Sequence, residues 1–255
     1  MRNPAAEWER FGRTDAYFGV FTSPDFRGEL DEIRRERFFG SGRAEVGRAL
    51  AWVRAAHPDW AGTTALDYGC GVGRLSLPLA AEFERVLSVD VSPSMLELTR
   101  ANASAAGLEN LECHPAHALS GLAGRYDLAL SRIVFQHIPR RQGERTFATL
   151  VRGLRPGGVG TVHVAVAPPH RGAALYSGAI RYLPFAAEAI NLVKRRPPDY
   201  PTLQMYSYRL DRLAAILAAH GITGWRADWE PGDGRRAYDS VTLTFRKPPA
   251  GGGNA

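Results

Sequence analysis

The run Ala65-Leu66-Asp67-Tyr68-Gly69-Cys70-Gly71-Val72-Gly73-Arg74 is where the residue types and spacing of this chain point most directly to chemistry. Three alternate glycines strip Cβ atoms from a turn between a strand and a helix, so the backbone can approach a ligand closely. A dinucleotide fingerprint would place another glycine three residues after Gly71, where Arg74 stands, and this disfavours a pyrophosphate cofactor. Asp67, two residues before the first glycine, suits a ligand carrying an ammonium group. A second apolar run, Val86-Leu87-Ser88-Val89, ends in Asp90, whose carboxylate can accept hydrogen bonds from both hydroxyls of a ribose. An adenosine-bearing ligand is thereby implied. Further on, Gln136 and His137 follow a third apolar run, and an imidazole with a pKa of about 6.5 can accept a proton at neutral pH. His137 is therefore the candidate general base; the alternative is a histidine that caps local backbone.

These residues need elements that carry them to one place. Periodicity predicts helices over 29–38 and 43–56, then alternating elements: strand 63–68, helix 74–84, strand 85–89, helix 93–106, strands 110–114 and 126–131, helix 140–154, strand 158–167. This is the βαβ pattern of a parallel sheet covered by helices on both faces. Ser92 as N-cap and Pro93 as first helical residue fix the start of the helix that follows Asp90. Residues 168–205 break the alternation with a Pro-rich stretch and a helix over 173–193, which reads as an inserted lid. Helix 209–220 and strands 222–229 and 239–247 complete the chain, with a Gly-rich tail at 248–255 expected to be disordered. The first 28 residues are too aromatic for a loose tail and are expected to pack on the domain as an irregular segment.

A chain of 255 residues with 45% apolar content fits one α/β domain with additions. The formal charge of +6 arises from 32 basic and 26 acidic residues, but the arginine pairs are scattered, unlike a nucleic-acid-binding stripe. Two cysteines, Cys70 and Cys113, cannot build a disulfide framework, and the N-terminus lacks the apolar core of a signal peptide. The expectation is a soluble, cytoplasmic protein with no membrane span. Cys113, His114 and His117 lack a second ligand pair of suitable spacing, so no metal site is expected.

The Asp-x-Gly-x-Gly-x-Gly turn, the acid ending the second strand and Leu154-Arg155-Pro156-Gly157-Gly158 together resemble the class I S-adenosylmethionine-dependent methyltransferases. The resemblance covers residues 43–167 well and 206–247 in outline. It implies a Rossmann-like, doubly wound, mostly parallel seven-stranded α/β sheet, with an N-terminal helical cap over 1–42 and the helical lid at 168–205. It also implies S-adenosyl-L-methionine as cofactor. Asp67, Gly69, Gly71 and Gly73 would cradle its methionine end and Asp90 would hold the ribose. Met95 would lie against the adenine, or be plain core. Many family members carry an Asp near the position of His117 that contacts the adenine amino group; here His117, beside Ala116, takes that place or leaves it to backbone amides. Ser131 would line the cofactor with its backbone. Tyr17, Phe39, Gln136, Tyr206 and Tyr208 are candidates for the acceptor site, with packing in the core as the alternative for the four aromatic residues.

Because the sulfonium makes its methyl group electrophilic, such an enzyme mainly aligns an acceptor atom and excludes water. The leading expectation is O-methylation of a small molecule such as a secondary metabolite or sugar. Ser131-Arg132-Ile133-Val134 stands where enzymes acting on planar amino groups carry Asn-Pro-Pro-Tyr, which makes such nitrogens unlikely acceptors. Methylation of RNA, favoured by the basic charge, a non-catalytic S-adenosylmethionine-binding module and an NAD-dependent oxidoreductase are the rivals.

Overall fold

A computed structural model describes residues 3–168, 170, 172, 175, 178–180, 183, 185–195, 197, 200–232 and 238–250. Its frame is a seven-stranded sheet: β1 (Thr64–Tyr68), β2 (Arg85–Asp90), β3 (Leu111–Pro115), β4 (Tyr126–Ser131), β5 (Leu154–Ala167), β6 (Trp225–Glu230) and β7 (Asp239–Arg246). The spatial order is β3-β2-β1-β4-β5-β7-β6. The first five strands run parallel, and β7 is antiparallel to both β5 and β6. Every residue of β1 is buried, which is why it reads as a continuous apolar run rather than an alternation. Chain order reverses on the two sides of β1, and the C-terminal edge at such a reversal is where open α/β sheets bind ligands.

Helices cover both faces. On one, α3 (Glu32–Ala56) and α4 (Ser76–Ala80) bury Val46, Leu50, Val53 and Leu79 against Leu128 and Val159. On the other, α6 (Arg140–Gly153) and α8 (Leu210–Ala219) bury Phe147, Leu150, Leu213 and Leu217 against Leu243 and Phe245. Between β2 and β3 runs α5 (Pro93–Ala105), whose start is fixed as expected: Ser92 Oγ accepts from Met95 N at 3.1 Å, with Pro93 in the first turn.

The N-terminal region is helical, as the resemblance implied and unlike the irregular segment that its composition suggested. It forms α1 (Pro4–Thr14) and α2 (Ala16–Val20), followed by a short 3-10 turn at Pro24–Phe26. Asn3 caps α1 by accepting from Ala5 N, and Pro4 occupies the first helical position. The two helices expected over 29–38 and 43–56 are the single α3. Gly42 lies within α3, where a Cβ would fall 1.9 Å from the Arg74 carbonyl oxygen, so this glycine permits a close approach rather than ending a helix. The helix expected over 74–84 shrinks to α4, preceded by turns.

In the insertion, residues 178–180 are helical and α7 spans Ala186–Val193, with Phe185 at φ 60° before it. The remainder of the helix expected over 173–193 lies largely outside the described residues, as do residues 251–255 of the expected tail. Residues 200–208 return to the domain, where Tyr206 N donates to Gln136 O and Tyr208 N to Ala165 O, both at 2.7 Å. Among the described residues no helix is long and apolar enough to cross a membrane.

Candidate functional site

At the C-terminal end of β1 the chain turns through Gly69, Gly71 and Gly73, with φ values of 80°, 56° and 88°. These angles lie in the left-handed region that glycine adopts without strain. At Gly71 space adds a second constraint, because a Cβ would lie 2.3 Å from Val20 Cγ2. The turn is tied to β2: Gly69 N and Cys70 N both donate to Val89 O, and Gly71 N donates to Asp90 Oδ2 at 2.9 Å. Asp90 Oδ1 accepts from Ser92 N at 2.9 Å, so one carboxylate joins the glycine turn to the start of α5. Burial raises the pKa of Asp90, and hydrogen bonds from the Ser92, Gly71 and Val91 backbone partly offset this. Asp67 lies beneath the turn, 1% exposed, accepting from Ser76 Oγ at 2.6 Å. Burial pushes its pKa up to about 6.

Above the turn lies a cavity of about 150 Å³, with Gly69, Gly71 and Asp90 on one side and Trp8 of α1 on another. Two contacts hold α1 in place as a roof. Glu9 accepts from Ser92 Oγ at 2.8 Å, Ser94 Oγ at 2.8 Å and Ser94 N at 3.1 Å. Burial disfavours that charge, but hydrogen bonds from Ser94, Ser92 and Arg13 outweigh it and hold the carboxyl at about 2. Glu7 Oε2 accepts from Thr202 N at 2.8 Å and joins the roof to the returning segment.

His137 lines the cavity and is 6% exposed. Its Nδ1 is 3.1 Å from Gln204 O, and a carbonyl can only accept, so Nδ1 carries the proton and Nε2 the lone pair. Nε2 is 3.2 Å from Gln136 Nε2, whose amide donates to it. The Trp8 ring stands edge-on to the imidazole at 5.2 Å between centroids. Burial pulls the His137 pKa down to about 4, so the ring is neutral at physiological pH.

The wall beyond β4 holds Arg132 and Ile133. Arg132 grips Glu230 with both Nη atoms at 2.5 and 2.6 Å, donates to Thr242 Oγ1 at 3.1 Å and lies 3.1 Å from Glu45 through Nε. Ile133 has φ 60°, a strained conformation for a β-branched residue, and strain of this kind collects at ligand sites.

A family profile described as "Methyltransferase domain" matches residues 65–158. The chain is 32% identical over 125 residues to the chloroplastic magnesium protoporphyrin IX methyltransferase of Arabidopsis thaliana, covering 48% of this chain and 40% of that protein. It is 34% identical over 112 residues to the 23S rRNA (uracil(1939)-C(5))-methyltransferase of Marinomonas posidonica, covering 44% of this chain and 24% of that protein. The chain thus spans less than half the length of these curated relatives. The crystal structure of magnesium protoporphyrin IX methyltransferase from Synechocystis PCC 6803, with bound S-adenosylhomocysteine, superposes with a TM-score of 0.62 at 19% identity. That match covers 96% of this chain and all of the other, a likeness of fold over the whole domain. Residues 65–158 are thus similar to a methyltransferase domain, on a fold that the chain shares with an S-adenosylhomocysteine-bound methyltransferase.

Within the matched residues, Gly69, Gly71, Asp90, Ala116 and His137 line the cavity. Asp67, Gly73 and Ser131 support it from behind; Ser131 Oγ donates to Tyr68 O at 2.9 Å. Met95 is fully buried beside Phe11 and Val72, in the cluster under α1. His117 is exposed on the turn after β3. The four aromatic candidates pack in two separate places, away from the cavity lining. Tyr17 and Phe39 belong to the N-terminal cluster, where Tyr17 Oη donates to Asn102 Oδ1 at 3.0 Å. Tyr206 and Tyr208 belong to the main core, donating to Gln204 Oε1 at 2.6 Å and Ile138 O at 2.7 Å. Gln136 stands outside the cavity lining, its amide donating to His137 and its carbonyl accepting from Tyr206 N.

Sequence reasoning passed over Trp8, Arg74 and Ile133 as cavity residues. Arg74 carried a signal, a charge placed directly after a ligand-binding turn, but was read there only as a missing glycine. Nothing in the sequence announced the conformation of Ile133. Among the described residues, no three His, Cys, Asp or Glu side chains are grouped to hold a metal ion.

Proposed function

We propose that this chain is an S-adenosylmethionine-dependent methyltransferase acting on a hydroxyl oxygen of a small molecule. The observation that carries the cofactor reading is the pairing of Asp90 with the Gly69–Gly71 turn at the cavity. Gly71 could not bear a side chain there, and an ionised carboxylate such as Asp90 has lone pairs beyond those its backbone bonds from Ser92, Gly71 and Val91 use. Bound there, the cofactor would supply an electrophilic methyl group on a sulfonium. The chain's own contributions are to hold, orient and exclude water: the glycine turn and Asp90 on the cofactor side, α1 as the roof. His137, neutral and among the residues lining the cavity, is the group to accept a hydrogen bond from the acceptor hydroxyl through Nε2, with the Gln136 amide giving way. Its low pKa means that it polarises the hydroxyl without holding a full proton at rest.

The small cavity, lined in part by α1, favours a small acceptor over RNA. Calorimetry with S-adenosylmethionine, S-adenosylhomocysteine and NADH tests the cofactor assignment. Binding of the adenosyl ligands alone, at about 8 kcal/mol or micromolar affinity, is expected. Binding of NADH alone would overturn it. Turnover on a panel of hydroxylated acceptors then separates an enzyme from a binding module. Product methylated only at nitrogen or carbon, or tight salt-sensitive RNA binding, would overturn the acceptor class.

A further inference from the structure

Among the described residues β6 is the outer strand of the sheet, paired with β7 on one side and with no strand on the other. Such an edge presents unpaired backbone N–H and C=O groups, and a soluble domain ordinarily blunts it. Here one face of the edge is apolar. Trp225, Ala227 and Trp229 lie opposite Phe245, Leu243 and Val241 of β7, which belong to the main core, and cross-strand partners share a face. The two tryptophans therefore carry the core-facing side of the sheet out to its margin, where they stand 38% and 57% exposed. The other face is charged. Arg226 and Asp228 alternate with the tryptophans, joined by a bond from Arg226 Nε to Asp228 Oδ1 at 2.6 Å. The Arg226 guanidinium also stacks 3.6 Å over the exposed Trp52 ring of α3.

The run Trp225-Arg226-Ala227-Asp228-Trp229 is its own complement about Ala227. When a second β6 lies antiparallel beside the first, with a two-fold axis at Ala227, each Trp225 meets Trp229 of the other copy and each Arg226 meets Asp228. An axis at Arg226 or at Asp228 would set that residue against itself, and one at Trp229 would set Asp228 against Glu230. Like charges directly opposite destabilise a ladder, so the charge order singles out the register at Ala227. We propose that β6 is a self-association edge that pairs with β6 of a second copy of this chain in that register, joining two seven-stranded sheets into one. An isologous contact of this kind closes at two chains. Any extended strand could use the backbone groups, but an identical strand also matches both tryptophans and both charges.

Sedimentation equilibrium of the full chain over a concentration series reads the association, and wild type is expected to pass from the mass of one chain to that of two. Asp228→Arg makes all four facing charges cationic and should weaken the dimer at least about tenfold. Combining it with Arg226→Asp restores opposite charges in the same register and should recover most of that loss, which local damage to the strand would not allow. Ala227→Cys puts two thiols on the axis, where directly opposed Cα atoms lie about 4.5–5.5 Å apart, within disulfide range. Mild oxidation should link this variant into a covalent dimer faster than Arg226→Cys, whose copies lie diagonally, or wild type, which has only Cys70 and Cys113. If Asp228→Arg does not fold, the cysteine comparison still decides. A wild type that stays monomeric at every concentration, a dimer that a folded Asp228→Arg leaves unchanged, or Ala227→Cys that links no faster than Arg226→Cys overturns the proposal.

Discussion

Replacing Asp67 by Asn should stabilise the domain at neutral pH relative to acid, and the size of the effect follows from where the carboxyl sits. Asp67 lies under the glycine turn with one side-chain hydrogen bond, from Ser76 Oγ, and burial raises its pKa from 3.8 to about 6. A carboxyl whose folded pKa is raised binds its proton more tightly in the folded state than in the unfolded chain. Its contribution is therefore intact below the unfolded pKa and is lost as pH rises through the folded one. The full shift is worth about 3 kcal/mol, and between about pH 4.5 and about pH 7.5 the loss is about 2 kcal/mol. An asparagine keeps an oxygen for Ser76 and has no charge to bury. The wild type alone cannot reveal this, because His137 has the opposite slope. Burial lowers its pKa to about 4, so its contribution is present above the unfolded pKa and fades as pH falls. The measurement is urea unfolding of cofactor-free wild type and D67N at both pH values. The stability difference between them should move by about 2 kcal/mol in favour of the variant on going to the higher pH. A difference that stays constant would show that ionised Asp67 is not strained in this fold.

Two further outcomes follow from the roof and from the histidine. Glu9→Gln should cost about 1 kcal/mol at neutral pH after discounting for partial exposure, and the cost should vanish as pH falls towards about 2, measured as the gap between the two unfolding curves. Protection from proteolysis at α1 should fall with it, and unchanged cleavage would mean that Glu9 does not hold the roof. His137 should remain neutral, with its proton on Nδ1, down to about pH 5, as read by the nitrogen shifts of its ring. Titration near about 6.5 would show the ring to be solvated and the cavity more open than described.

The parts of this molecule that could be read from sequence are those set by local chemistry. A strand buried on both faces shows as an unbroken apolar run, and Ser92-Pro93 announces a helix start because capping needs only neighbouring residues. The glycines at 69 and 71 and the acid at 90 were legible for the same reason, since a left-handed turn and a strand-end carboxylate are local facts. What stayed hidden depends on contacts distant in the chain. Gly42 looks like a helix breaker until Arg74 O is seen against it, and Tyr206 and Tyr208 look like pocket residues until their hydroxyls are found serving Gln204 and the Ile138 carbonyl. Arg74 shows both limits at once. Its position after the turn was visible, but its burial and its contacts with Ser41 and Phe21 depend on other elements. A cavity residue is thus recognised less by its type than by what the fold brings beside it, and only the folded arrangement contains that information.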